Sequence, residues 1–172
     1  FLLELLHALQ GAFARVESFV FATRLVRVTP QLRRGTVDDV VARLGREATG
    51  WGGGTRIGDA VAAFAREHAR LLDRRTVVLV LSDGWDTGDP ETLGRALAAI
   101  RPRVARLVWL NPLLGTPGYE PATRGMRAAL PHLDDFLPAR DAASLERLAR
   151  ALVPRRRGGR PAPPGGRLEM PA

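Results

Sequence analysis

Read for the spacing of its apolar positions, the chain alternates between two periods. Leu2, Leu5, Leu6, Leu9 and Phe13 recur at helical spacing, which predicts a helix over residues 1–13. Arg15 to Phe21 (RVESFVF) predicts a strand, Ala22-Thr23 a turn, and Leu25 to Val28 a short returning strand that stops before Pro30. Thr36 suits an N-cap with Asp39 three residues on, and Val37, Val40, Val41 and Leu44 would line one helical face. Gly50 to Gly54 predicts a loop. Ile57, Val61, Phe64, Ala65, His68 and Leu72 then predict a long amphipathic helix.

The centre of the pattern is residues 76–89, TVVLVLSDGWDTGD. Its β-branched, apolar opening predicts a parallel strand over 76–82 covered on both faces. The strand breaks off at Ser82-Asp83-Gly84, and polar residues at the carboxyl end of such a strand sit where open α/β sheets bind ligands. Asp89-Pro90 reads as an N-cap followed by the proline that suits the first helical position. Leu93, Ala96, Leu97 and Ile100 give that helix its buried stripe. Val104 to Leu110 predicts another buried strand, 111–122 a Pro/Gly loop, Arg124 to Leu130 a short helix and Asp135 to Leu137 a last strand. Ser144 would open a final helix with Leu145, Leu148, Ala149 and Leu152 on one side. Strands alternating with helices predict an α/β fold: a three-layer, doubly wound, mostly parallel sheet with helices on both faces.

Composition changes this picture little. The length of 172 residues suits one domain, expected over 1–152, with an Arg/Pro/Gly-rich tail over 153–172 that reads as disorder. With no cysteine, disulfides and thiolate metal sites are excluded. No run approaches the about 18 apolar residues of a membrane span. FLLELLHAL is interrupted by Glu4 and His7 and lacks a basic flank, so it does not read as a signal peptide. The chain begins at Phe1 in mid-pattern and reads as a fragment. Net charge is +8, but Arg155, Arg156, Arg157, Arg160 and Arg167 against Glu169 put +4 of it on the tail. The charge therefore supports nucleic-acid binding only through that tail, and leaves the domain itself mildly basic.

Two loops carry candidate chemistry. The first runs Trp51-Gly52-Gly53-Gly54-Thr55, with Thr55 at the mouth of the next helix, where its hydroxyl can ligate a hard cation or cap the helix. The second is Ser82-Asp83-Gly84-Trp85-Asp86. The glycine loop is neither a phosphate-binding loop of the Gly-Lys-Ser/Thr kind nor a dinucleotide fingerprint, since Ile57 stands where the third glycine belongs.

Gly53-Gly54-Thr55 and Ser82-Asp83-Gly84, one helix apart, resemble the paired motifs of the von Willebrand factor type A (VWA) domain. The segments VESFVFATRLVRVTPQL, WGGGTRIGDAVAAF, LSDGWDTGDPETL and RLVWLNPLLGTPGYEPATRGMRAALPHLDDFLP, with SLERLARAL, are similar to the CoxE-like class, linked to accessory proteins of carbon monoxide dehydrogenase. The resemblance covers about residues 1–152. It implies a divalent cation, usually Mg²⁺, at the carboxyl end of the sheet, with Thr55 and Asp83 in the threonine and aspartate roles and the last position open to a partner's carboxylate. It implies a non-enzymatic, cytoplasmic maturation or chaperone module, working beside a MoxR-type AAA+ ATPase on a molybdenum-containing dehydrogenase.

The family's Asp-x-Ser-x-Ser loop does not occur in this sequence, and its first, central strand is expected to be missing with it. The expectations are weak or absent metal binding by this chain, and strands 15–21 and 76–82 deprived of the neighbour between them. Trp51, Gly54, Trp85 and Asp86 flank the site and are the candidate partner-binding residues. Asp59, Asp86 and Asp89 are nearby carboxylates whose simpler readings are first-turn residue, turn former and N-cap. His68 reads as a core histidine and Trp109 as core; His7 and His132 show no zinc-ligand spacing. The rival readings are a metal-dependent hydrolase using Asp83, which lacks a nucleophile–base pair, and a nucleic-acid binder acting through the tail.

Overall fold

A computed structural model describes residues 9–10, 13–35, 37–47, 54–139, 148 and 152. Its centre is a three-stranded parallel sheet in the order β3-β4-β5, where β3 is Val77–Leu81, β4 Arg106–Asn111 and β5 Asp135–Pro138. A separate antiparallel hairpin pairs β1, Phe19–Phe21, with β2, Leu25–Arg27. Among the described residues β1 and β3 thus lie in different sheets, and β3 pairs with β4 alone.

The alternation of side chains along a strand sorts the sheet residues onto two faces. Val78 and Val80 of β3, Leu107 and Trp109 of β4 and Phe136 of β5 face one core. That core is completed by helices α3 (Ile57–Glu67), α4 (Pro90–Ile100) and α5 (Arg124–Ala129). Val77, Leu79 and Leu81, with Val108, Leu110 and Leu137, face the other, against Leu9, Leu148 and Leu152, all three helical. Apolar cover on both faces is what a continuous VVLVL run requires, and it makes this a mixed α/β fold with a parallel sheet flanked by helices. A third, smaller cluster joins Val26 of the hairpin and Val28 just beyond it to Leu32 and Val40.

Local signals explain most boundaries. Asp89 caps α4, its carboxylate accepting from Glu91 N and Thr92 N with Pro90 at the first helical position, and Leu93, Ala96, Leu97 and Ile100 are all buried, as their spacing predicts. The lower end of the sheet is closed by ion pairs, Arg106 with Asp135 and Arg101 with Asp134. Asp134 also accepts from Leu107 N at 2.7 Å.

Several expectations need correcting. Strand β1 covers three residues instead of 15–21. Pro30, read as a strand terminator, instead opens a helix, α1, Thr29–Arg34, that the sequence reading does not include. Helix α2 runs Val37–Glu47, and Val41, expected on its buried face, is 52% exposed while Val40 is buried. Helix α3 ends at Glu67 rather than reaching Leu72; a short 3-10 turn, Ala69–Leu71, follows. His68 is only half-buried, its ring 4.6 Å from that of Phe19. The N-cap at Thr36, nearly all of the first and last helices, and the boundary at 152/153 lie outside the described residues.

Candidate functional site

Strand β3 delivers its last residues into a loop whose backbone is pinned from four directions. Ser82 N donates to Leu110 O at 3.1 Å, extending the pairing with β4 by one residue. The buried Trp109 indole donates to Ser82 O at 2.9 Å. The carbonyl of Asp83 accepts from Asn111 Nδ2 at 3.1 Å and from the Tyr119 hydroxyl at 3.2 Å. The carbonyl of Gly84 accepts from Thr123 Oγ1 at 2.9 Å, and Thr123 also caps α5 by accepting from Met126 N. Gly84 is at φ +81°, and a Cβ there would collide with the Met126 side chain, so the turn at this point needs glycine on two counts.

This leaves the Asp83 side chain fixed at its base and open at its tip. Oδ1 accepts from Trp85 N at 3.0 Å, the local turn that short carboxylates favour. Oδ2 has no hydrogen bond among the described residues. The Trp85 side chain beyond it is 66% exposed.

The second loop is tied to the first by Asp86 and Thr87. One Asp86 oxygen accepts from Ile57 N at 3.0 Å and from Gly88 N at 2.8 Å, and the other accepts from Gly58 N at 3.2 Å. Asp86 therefore caps the amino end of α3 from a different part of the chain, in place of Arg56, whose side chain makes no capping bond. The capping carboxylate is also of the sign the helix dipole favours there. Thr87 N and Thr87 Oγ1 both donate to Thr55 O, at 3.0 and 3.1 Å. Four hydrogen bonds thus join residues 55–58 to residues 86–87.

These bonds hold Thr55 against Thr87, in the loop that Asp83 opens beyond the carboxyl end of β3. Thr55 is half-buried with its carbonyl engaged, and its hydroxyl makes no hydrogen bond among the described residues. Gly54, at φ +77°, lies against Thr87, with room for no side chain of its own. Trp51 lies outside the described residues. Asp59 pairs with Arg56 at 2.9 Å, and Asp89 is occupied as a cap. Hydrogen bonds from Thr92 and Glu91 hold the Asp89 carboxyl below its ordinary value. The residues that position Asp83, namely Asn111, Tyr119 and Thr123, were not singled out as site residues in the sequence. The available signal was a polar Asn111 ending a buried strand, since a buried amide has to find partners.

In kind, a hydroxyl and a carboxylate suit a hard divalent cation. In number they fall short: Thr55 and Asp83 offer two of the about six oxygens that Mg²⁺ takes. Among the described residues no group of three His, Asp or Glu side chains is placed to hold a metal ion.

No curated protein and no solved structure matches the chain. A family model, described as "VWA domain containing CoxE-like protein", matches residues 1–145. The match spans the glycine loop, the Asp83 turn, the sheet and the Asn111 and Tyr119 segment that holds the turn in place, and on that extent the chain belongs to the CoxE-like VWA-domain family.

Proposed function

We propose that this chain is a non-enzymatic docking module whose rim, built from Thr55, Asp83 and Trp85, binds an acidic side chain of a partner protein. The observation that carries the reading is the stitching of the two loops by Asp86 and Thr87, which among the described residues leaves the Thr55 hydroxyl and one Asp83 oxygen without a hydrogen bond, with the exposed Trp85 indole in the same loop as Asp83. Hydrogen-bonding capacity left open on a rigid frame is what a recognition surface needs. The family to which the chain belongs consists generally of non-catalytic accessory modules, which favours docking over hydrolysis.

Thr55 and Asp83 would hold a divalent cation such as Mg²⁺, with its remaining ligands supplied from outside the described residues. Such an ion supplies a positive centre that a partner's carboxylate can complete. The chain's own contribution is orientation. Asn111 and Tyr119 fix the Asp83 backbone, Asp86 fixes the start of α3 below Thr55, and Trp85 offers an aromatic anchor of the type enriched at interfaces. Family membership supports a place in maturation of a carbon monoxide dehydrogenase-type molybdenum enzyme, with a MoxR-type AAA+ ATPase and the cofactor-bearing client as the partners.

The test is capture of the purified ATPase or client by the immobilised full-length protein. Capture is expected to be lost with a chelator, and to fall sharply with Asp83→Ala and with Thr55→Ala. Trp85→Ala should weaken it by about tenfold or more, the size of an interface anchor. Capture indifferent to chelator and to Asp83→Ala would remove the cation from the mechanism.

A further inference from the structure

At the opposite end of α3 from Thr55 lies a second site, a half-open cavity of about 280 Å³ lined by Arg15, Glu17, Arg27, His68, Arg70 and Leu71. Three guanidiniums face one carboxylate, so the lining is net positive before the imidazole is counted. The carboxylate is already engaged. Glu17 Oε2 accepts from Arg27 Nε at 2.8 Å and from Thr29 Oγ1 at 2.8 Å, and pairs with a second Arg27 nitrogen at 2.7 Å. Arg15 and Arg70 make no hydrogen bond or ion pair among the described residues, so two forks of donors remain unspent at the cavity.

The walls are held. The His68 ring packs against Phe19 at 4.6 Å, and Arg103 donates to Ala69 O at 2.9 Å, anchoring the 3-10 turn that carries Arg70 and adding a further positive charge behind it. Thr29 Oγ1 accepts from Ser18 N at 2.8 Å, so the segment leading into β1, which carries Glu17, is braced against α1. A guanidinium's planar fork matches phosphate oxygens two at a time, and an imidazole N–H adds a further donor. The volume falls just short of the about 300 Å³ at which ligand pockets usually start, so the occupant is small.

We propose that this cavity binds the phosphate groups of a small soluble molecule, of pyrophosphate or phosphomonoester size, through Arg15, Arg70 and His68. The site is separate from the rim of Thr55 and Asp83 and does not depend on how that rim is used.

The probe is inorganic pyrophosphate, titrated into the full chain at physiological salt and followed by calorimetry. Saturable binding is expected, weakened about tenfold by Arg70→Ala or Arg15→Ala, the loss of a charged fork. Both residues are exposed and unpaired among the described residues, so both variants should fold normally. Arg66→Ala, at an arginine that pairs with Glu67 and does not line the cavity, should leave binding unchanged. Glu17→Gln should tighten it, because a carboxylate leaves the lining. No binding at about 10 mM pyrophosphate, a free energy too small for a specific site, overturns the proposal, as does equal weakening by Arg66→Ala. A second arm uses vesicles containing phosphatidic acid; capture by the vesicles without binding of free pyrophosphate would overturn the soluble ligand.

Discussion

Asp86 carries more of the site's geometry than its place in the sequence suggests. Its two oxygens satisfy three backbone donors, two of them the first amides of a helix 28 or 29 residues away. Replacing a capping carboxylate by alanine costs about 1–2 kcal/mol, and Asp86→Ala should lower the urea midpoint accordingly. It should also weaken partner capture without touching Thr55 or Asp83, because the loops would no longer be joined. Gly84→Ala should be worse, since the new Cβ meets both an unfavourable φ and Met126. Glu17 offers a pH test. Burial raises its carboxyl, but hydrogen bonds from Thr29 and Arg27 and the charges of Arg27 and Arg33 outweigh that and leave it below 4.5. A group depressed in the folded state stabilises above its unfolded value and loses that contribution as pH falls below it. The stability gap between the native chain and Glu17→Gln should therefore be full at pH 7 and shrink below pH of about 4.5, measured as urea midpoints across that range. The caps show what could be read in advance. Asp89 was legible because its partners are two and three residues away. The capping role of Asp86 was not, because only the folded chain brings α3 to it.

Among the elements, those that bury a regular stripe were legible and those that depend on neighbours were not. Helix α4 announces itself by cap, proline and four apolar positions, all of them buried. Leu97 is wholly inaccessible, and Leu97→Ala should cost about 2–5 kcal/mol by leaving a cavity against the sheet, read as a loss of melting temperature. Helix α1 was missed because proline is ambiguous: it ends strands, but it also suits a first helical turn, and Thr29–Arg34 uses the second option. Two of the helix α1 residues, Thr29 and Leu32, are buried, too few to set a period in so short a segment. The stop of α3 at Glu67 was hidden for a different reason. His68 and Leu72 continue the apolar pattern, yet they flank a 3-10 turn, Ala69–Leu71, with the His68 ring packed on Phe19. The parallel strands, and the cover on both faces of β3, were clear from their β-branched apolar runs, and the separate clusters on Trp109 and on Val108 bear that out.

On the scale of the whole molecule, α3 works as a spacer. Eleven residues at about 1.5 Å each put about 16 Å between its ends, with Thr55 before one end and His68 beyond the other. Perturbations that far apart and sharing no partner should add. Pyrophosphate affinity should therefore be unchanged in Asp83→Ala, and partner capture unchanged in Arg70→Ala, both measured on the same preparations. Net charge points the same way: of the +8, half sits on residues 153–172, so any nucleic-acid binding should disappear when those residues are removed. The stitching of the two loops bears on protein engineering. Anyone transplanting the Gly-Gly-Thr turn to another scaffold would have to bring Asp86 and Thr87 along, and anyone exchanging the Asp83 segment would unseat the helix beneath Thr55. The two loops are modular only as a pair, so a chimera that swaps either half alone should inherit the residues without inheriting their arrangement.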